Sequence, residues 1–224
     1  MRKLTKYAQE DKEVESYLNT IIDRTSSASQ YSKAFYSLGQ KLSVPINKRI
    51  NDNDKVVIAC STEDADWLTR GILNNLKVPN TRLAVFWNLR TNPFENNKIT
   101  IAPIVKTYIE STDSCDILIV CKSIIYTSCV VRTNLTYLIQ SLNPKQIIIA
   151  APVMYKQAEK RLSSEFDSSI NSKFEFIYFA KDDKVTSNGE VVPGIGGNIY
   201  ERLGLGDYSQ KNKYIPDLVK ERRI

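Results

Sequence analysis

The sequence predicts an α/β protein: a mainly parallel sheet flanked by helices, with an N-terminal helical extension and a C-terminal hood or hairpin. Three observations carry this. Short, continuous apolar runs recur from residue 55 onward, as in strands buried on both faces. Segments with helical spacing separate them, the pattern of βαβ units. The chain before residue 50 is helical in period, and the chain after Asp182 is rich in Gly, Asn and charge.

Each element follows from its residues. Val14, Leu18, Ile21 and Ile22 fall on one helical face, and Tyr31, Phe35, Leu38 and Leu42 on another. Thr25-Ser26-Ser27-Ala28-Ser29 breaks the two and supplies an N-cap, and Pro45 marks the exit. Val56–Cys60 and Leu83–Trp87 read as strands, with a helix on Leu68, Ile72 and Leu76 between them. Asp64 or Asp66 is positioned to cap that helix. Residues 90–97 form a polar loop or hairpin tip containing Pro93, and 98–108 a strand. Asp116–Cys121, Gln146–Ala151 and Phe174–Phe179 are further strands. Helices on Val131, Leu135 and Leu138, and on Ala158, Leu162 and Phe166, join them. The domain reading is a helical extension over 1–50, an α/β domain over 51–207 and a basic tail over 208–224.

Composition narrows the chemistry. The 224 residues include 31 Lys+Arg, 25 Asp+Glu and no histidine. Without histidine, Ser-His-Asp and Cys-His catalysis in their usual form and HExxH metal sites are excluded. The commonest general base is missing as well. A net charge of +6 suits phosphates, nucleotides or nucleic acid. No apolar run approaches the ~20 residues of a membrane span. The basic start, Met1 to Lys6, is not followed by an apolar segment, so the expected compartment is the cytoplasm and no membrane partner is expected. Cys60, Cys115, Cys121 and Cys129 contain no CxxC pair and read as reduced, buried thiols, so no metal site is expected.

In an open α/β sheet, ligands bind beyond the carboxyl ends of the strands. Three segments qualify. Ser61 to Asp66, with Arg70 one turn on, either caps its helix or contributes acids to a site. Lys122-Ser123-Ile124-Ile125-Tyr126-Thr127-Ser128-Cys129 leads into a helix N-terminus, where unpaired N–H groups and the dipole favour an anion. Val191 to Asn198 holds three glycines in four positions. It is either a hairpin turn or a place where backbone approaches a flat ligand.

Together, in this order, the three segments resemble uracil phosphoribosyltransferases of the type I phosphoribosyltransferase fold, over residues 55 to 207. Ala180-Lys181-Asp182-Asp183-Lys184 and then Asn188 to Gly196 resemble the family's Ala-Leu-Asp-Glu stretch and its Tyr-Ile-Val-Pro-Gly-Leu-Gly-Asp segment. The resemblance implies that Ile195, Gly196 and Gly197 line a base pocket. It implies that Lys122, Ser123, Tyr126, Thr127, Ser128 and Arg132 hold phosphate, and that Asp64, Arg70 and Arg90 sit at the diphosphate or in the loop over it. For an active enzyme it implies Mg²⁺, and for the family a homodimer.

Departures accompany the likeness. Cys121 stands where the family's diphosphate loop begins with an acid, and Tyr126-Thr127-Ser128-Cys129 replaces Thr-Gly-Gly-Ser. Gly197 replaces the closing Asp. The reading that follows is a divergent or non-catalytic relative that binds a nucleotide or phosphoribosyl-diphosphate-like ligand, a nucleic acid or a protein. Degenerate proteins of this kind occur in bacterial anti-phage clusters, retrons among them. Lys211, Lys213, Lys220, Arg222 and Arg223 are its candidate nucleic-acid patch. The alternatives are an active transferase for a pyrimidine-like base, whose dissociative chemistry needs no histidine, and a hydrolase using Glu63, Asp64 or Asp66 as base.

Overall fold

The computed structural model describes residues 1–91, 100–206 and 212–223. The polar loop expected from residue 92 onward, the boundary at 207 and Lys211 lie outside the described residues. In chain order the first elements are β1 (Lys3–Leu4), α1 (Lys6–Gln9), α2 (Lys12–Ile22) and α3 (Ala28–Asn47). Then come β2 (Val56–Ser61), α4 (Thr62–Asp64), a π-helical turn (Ala65–Thr69) and α5 (Arg70–Leu73). The sheet continues with β3 (Arg82–Asn88), β4 (Ile104–Ile109), β5 (Ile117–Cys121) and β6 (Ile124–Ile125). After α6 (Cys129–Ile139) follow β7 (Gln146–Tyr155), α7 (Ala158–Ser164), α8 (Ser168–Asn171) and β8 (Phe174–Asp182). The tail adds β9 (Lys184–Val185), β10 (Val191–Val192), α9 (Ile199–Arg202) and α10 (Asp217–Arg222).

The main sheet runs β1-β8-β7-β5-β2-β3-β4, with β6 beside β7. The pairs β2/β3, β2/β5, β5/β7 and β7/β8 are parallel, and only β1 and β4 enter antiparallel at the edges of that row. This is the mainly parallel sheet that the sequence predicts. β9 and β10 form the expected C-terminal hairpin. Successive strand residues point to opposite faces, so the continuous apolar runs feed two cores at once. Ile58 and Cys60 pack with α2 and α3 on one face, among Leu18, Phe35 and Leu42. Val57 and Ala59 pack on the other with Val131, Leu135 and Leu162. Helices α2 and α3 are therefore one covering layer of the sheet.

Some elements differ from expectation for local reasons. β1 pairs with β8 through Lys3↔Lys181 and Leu4↔Ala180, although a two-residue basic strand has no readable period. Pro45 lies inside α3 rather than at its exit. The turn continues past it because Leu42 and Ile46 are fully buried against the sheet, and this packing outweighs one lost backbone bond near a helix end. Neither Asp64 nor Asp66 caps the helix it starts: Ser61 is the N-cap, without a side-chain bond. Asp66 instead accepts from the backbone N–H groups of Asp217 and Leu218, at 2.9 and 2.7 Å, and caps α10 across space. All four cysteines are free and buried, as expected. Among the described residues, no helix is long and apolar enough to cross a membrane.

Candidate functional site

β2 is the first strand of the parallel set, and the chain goes from it to β3 on one side and later to β5 on the other. The ends of β2 and β5 thus form the point where the winding reverses, the crevice in which such sheets hold ligands. Register Cys60↔Cys121 makes Ser61–Asp64 and Lys122–Ser123 leave the sheet side by side. Their side chains meet at once. Lys122 Nζ donates to Asp64 Oδ2 at 2.5 Å, to Glu63 Oε1 at 3.1 Å and to Ser123 Oγ at 3.3 Å. Asp64 Oδ1 accepts from the Ser123 backbone N–H at 3.0 Å. Tyr200, arriving from the tail, donates its hydroxyl to Glu63 Oε2 at 2.5 Å.

The cluster is buried, with side-chain exposures of 11% for Lys122, 5% for Glu63 and 0% for Asp64. Burial works against the Lys122 ammonium, but Asp64 and Glu63 outweigh it and leave its pKa raised. Burial pushes the Asp64 carboxyl up, with the Lys122 charge opposing and Glu63 reinforcing.

A second wall rises from β5 through β6 to α6. β6 pairs with β7 at Ile124↔Val153, which fixes the path of the chain toward Tyr126. Ser128 then takes a left-handed conformation, φ 63°, and serves as the N-cap of the 11-residue α6. A non-glycine residue in this region costs about 1–2 kcal/mol. Ser128 and the first residues of α6 line the cleft. Among the described residues, no backbone carbonyl accepts from the N–H groups of Thr127, Ser128, Cys129 or Val130. Unpaired donors at a helix N-terminus make an electropositive edge.

The third wall is the hood. Asp182, with no exposure, accepts from Arg2 Nε at 2.9 Å, from Arg2 Nη2 at 2.8 Å and from Gly194 N–H at 2.9 Å. Tyr31 of α3 donates its hydroxyl to the Ile195 carbonyl at 2.9 Å. The N-terminal segment thus clamps the glycine-rich turn over the crevice. The cleft enclosed by the three walls measures about 260 Å³.

The structure brings Lys122, Ser123, Tyr126, Thr127, Ser128, Arg90, Ile195 and Gly197 to this cleft. Asp64 lies beneath it, under Lys122. Three expected residues are placed elsewhere. Arg132 turns away to pair with Glu165 at 2.6 Å. Arg70 pairs with Glu221 at 2.7 Å and Asp66 at 3.4 Å. A Cβ on Gly196 would sit 2.3 Å from the Ile21 carbonyl oxygen, so this residue faces α2. The cleft also contains Glu63 and Asn198, which belong to the first and third candidate segments, and Glu190 and Tyr200, which the sequence did not single out as contacts. Tyr200 gave no sequence signal because only the closure of the tail brings it to Glu63. Of the candidate nucleic-acid patch, Lys220 pairs with Asp217 and Arg222 with Glu110.

No family model matches the chain, and neither does any curated protein. Among solved structures, the AQ2163 protein from Aquifex aeolicus superposes with a TM-score of 0.70 at 17% identity, covering 85% of this chain and 93% of that one. A hypothetical protein from Neisseria gonorrhoeae with bound ppGpp gives 0.44 at 9% identity, over 68% and 82% of the two chains. A hypoxanthine-guanine phosphoribosyltransferase from Bacillus anthracis, with a HEPES molecule in its active site, gives 0.43 at 10% identity, over 55% and 70%. At 17% identity, the likeness to the Aquifex protein is one of fold.

Proposed function

We propose that the cleft binds the phosphate of a nucleotide-class ligand on a scaffold like that of type I phosphoribosyltransferases, and that the protein binds such a ligand without transferring its phosphoribosyl group. The observation that carries this is the pairing of walls. N–H groups without a backbone acceptor at the kinked start of α6 suit a phosphomonoester, and Ile195 and Gly197 of the glycine-rich hood line the same cleft. The floor argues against transfer. Glu63 and Asp64 surround Lys122 at the crevice floor, so its ammonium is not free for a leaving diphosphate, and Arg90 is the other cation lining the cleft. Cys121, in place of an acid for ribose hydroxyls, is a buried thiol whose pKa burial pushes up.

A thermal-shift titration with UMP and with ribose 5-phosphate tests the reading. Ligand at about 100 times its Kd adds ~2.7 kcal/mol, a rise of roughly 5–10 °C for a chain of this size. Thr127→Glu places a carboxylate at the same N–H groups and abolishes the rise. No rise with either ligand, or an unchanged rise in the variant, sinks the phosphate reading. The alternative, an active transferase for a pyrimidine-like base, draws on the hood lining the cleft. Diphosphate released from labelled phosphoribosyl diphosphate with any base in a panel establishes it in place of the first. A homodimer, and a setting among anti-phage genes, remain parts of the proposal that rest on the sequence resemblance.

A further inference from the structure

We propose that the Lys122 ammonium is the resident cation at the floor of this cleft, in a site for which the resemblance implies a divalent metal, so that the site takes a phosphomonoester without metal and disfavours a diphosphate. The inference rests on the phosphate reading above and adds what the floor of the same cleft selects.

Mg²⁺ takes oxygen ligands at about 2.0–2.1 Å in near-octahedral geometry. Acidic oxygens at the crevice floor come from Glu63 and Asp64, and both already surround Lys122 Nζ, at 3.1 and 2.5 Å. The Ser123 hydroxyl is the third oxygen, at 3.3 Å. A dication using these oxygens would share them with an ammonium in a buried, low-dielectric setting, where like charges repel strongly. The carboxylates are also held in place. Asp64 accepts from the Ser123 N–H and Glu63 from the Tyr200 hydroxyl, so neither can swing to a metal without giving up a second partner. Among the described residues, no cluster of three or more acids or thiols offers another metal site. The residues therefore do not fit the metal that the resemblance implies.

Charge gives the selectivity. The floor sets the Glu63 and Asp64 carboxylates around a single ammonium, and the α6 start lines the same cleft. A ligand with one phosphate places it at α6 and turns its hydroxyls or base edge to Glu63. A phosphoribosyl diphosphate would bring its second anionic group toward the carboxylates.

Two measurements on the full chain decide this separately from the phosphate reading. The first uses Mn²⁺ alone, followed by electron paramagnetic resonance. Wild type takes up no Mn²⁺ below about 1 mM, and Lys122→Ser, which opens space between the carboxylates, gains one ion per chain. One Mn²⁺ per wild-type chain below about 100 µM, lost in Glu63→Gln, overturns the proposal. If Lys122→Ser does not fold, the comparison of wild type with Glu63→Gln still decides. The second uses calorimetric titration with ribose 5-phosphate and with phosphoribosyl diphosphate, each in Mg²⁺ and in EDTA. Ribose 5-phosphate affinity changes less than twofold with Mg²⁺, and the diphosphate binds at least tenfold more weakly. A diphosphate that binds tighter in Mg²⁺ than in EDTA overturns the proposal. Absence of binding by either ligand overturns the phosphate reading, and with it the selectivity claimed here.

Discussion

Replacing Lys122 by Met removes the ammonium and keeps most of the stem. Glu63 and Asp64, 5% and 0% exposed, would then face each other with no cation between them. Breaking a buried ion pair by removing one partner costs about 3–5 kcal/mol, because the remaining charge keeps its desolvation penalty. Single domains have only ~5–15 kcal/mol in all, so the variant stands near the edge of folding at neutral pH. The pH dependence carries a sign. In wild type the Lys122 pKa is raised in the fold. Its stabilisation is whole below the unfolded lysine value of ~10.4 and is lost only as pH rises through the folded value. It therefore gives no slope between pH 5 and 8. In the variant the charge that opposed the upward shift of Asp64 is gone. A carboxyl raised in the fold contributes most below its unfolded pKa of ~3.9, and that contribution is lost as pH rises through the folded value. The deficit of Lys122→Met is thus largest at pH 8 and shrinks toward pH 5. Urea unfolding of both proteins at the two pH values measures it. A deficit below about 1 kcal/mol, or one equal at both pH values, refutes the reading of Lys122 as a buried, carboxylate-bound cation.

Three further outcomes are expected. A Cβ on Gly71 would lie 2.1 Å from the Tyr36 carbonyl oxygen, at the crossing of α5 and α3; Gly71→Ala destabilises by ~1–3 kcal/mol, seen as a fall in Tm, despite the better helix propensity of Ala. Asp66→Ala removes the acceptor shared by the Asp217 and Leu218 N–H groups and the Tyr214 hydroxyl. It costs about 1–3 kcal/mol and makes the α10 segment the first site cut in limited proteolysis. The thiols are buried, and burial pushes the Cys115 pKa up to about 11. Native protein at pH 8 therefore reacts with an aromatic disulfide reagent far more slowly than the urea-unfolded chain, which releases four equivalents.

The sheet was legible because its strands are buried on both faces. Val56–Cys60 and Ile147–Ala151 need no alternation, and nothing but a doubly covered parallel strand hides such runs. The α6 start was legible too, since hydroxyls before a helical period announce an N-terminus. The roles of the charged residues were not. Asp66 and Arg70 read as cap and anion ligand because sequence shows only neighbours along the chain. Their partners, the α10 N–H groups and Glu221, lie some 150 positions away. Local spacing likewise favoured Arg132 as a phosphate ligand, one turn into α6, yet Glu165 captures it on the outer face.

At Ser128 the backbone enters the left-handed region, φ 63°, in a residue that is not glycine. That conformation costs about 1–2 kcal/mol. Such strain persists where the surroundings over-determine it. Here the Ser128 hydroxyl reaches the Ala158 carbonyl at 3.3 Å and the residue is buried. The same packing holds the start of α6 at the edge of the cleft. On the opposite wall, the lysine that follows Cys121 is satisfied by its own carboxylates rather than left for a ligand. The two walls of the cleft therefore differ: the α6 start lines one, and Glu63 and Asp64 around Lys122 form the other. On the proposed reading the first wall takes the phosphate, and the second leaves the Lys122 ammonium bound to its own carboxylates.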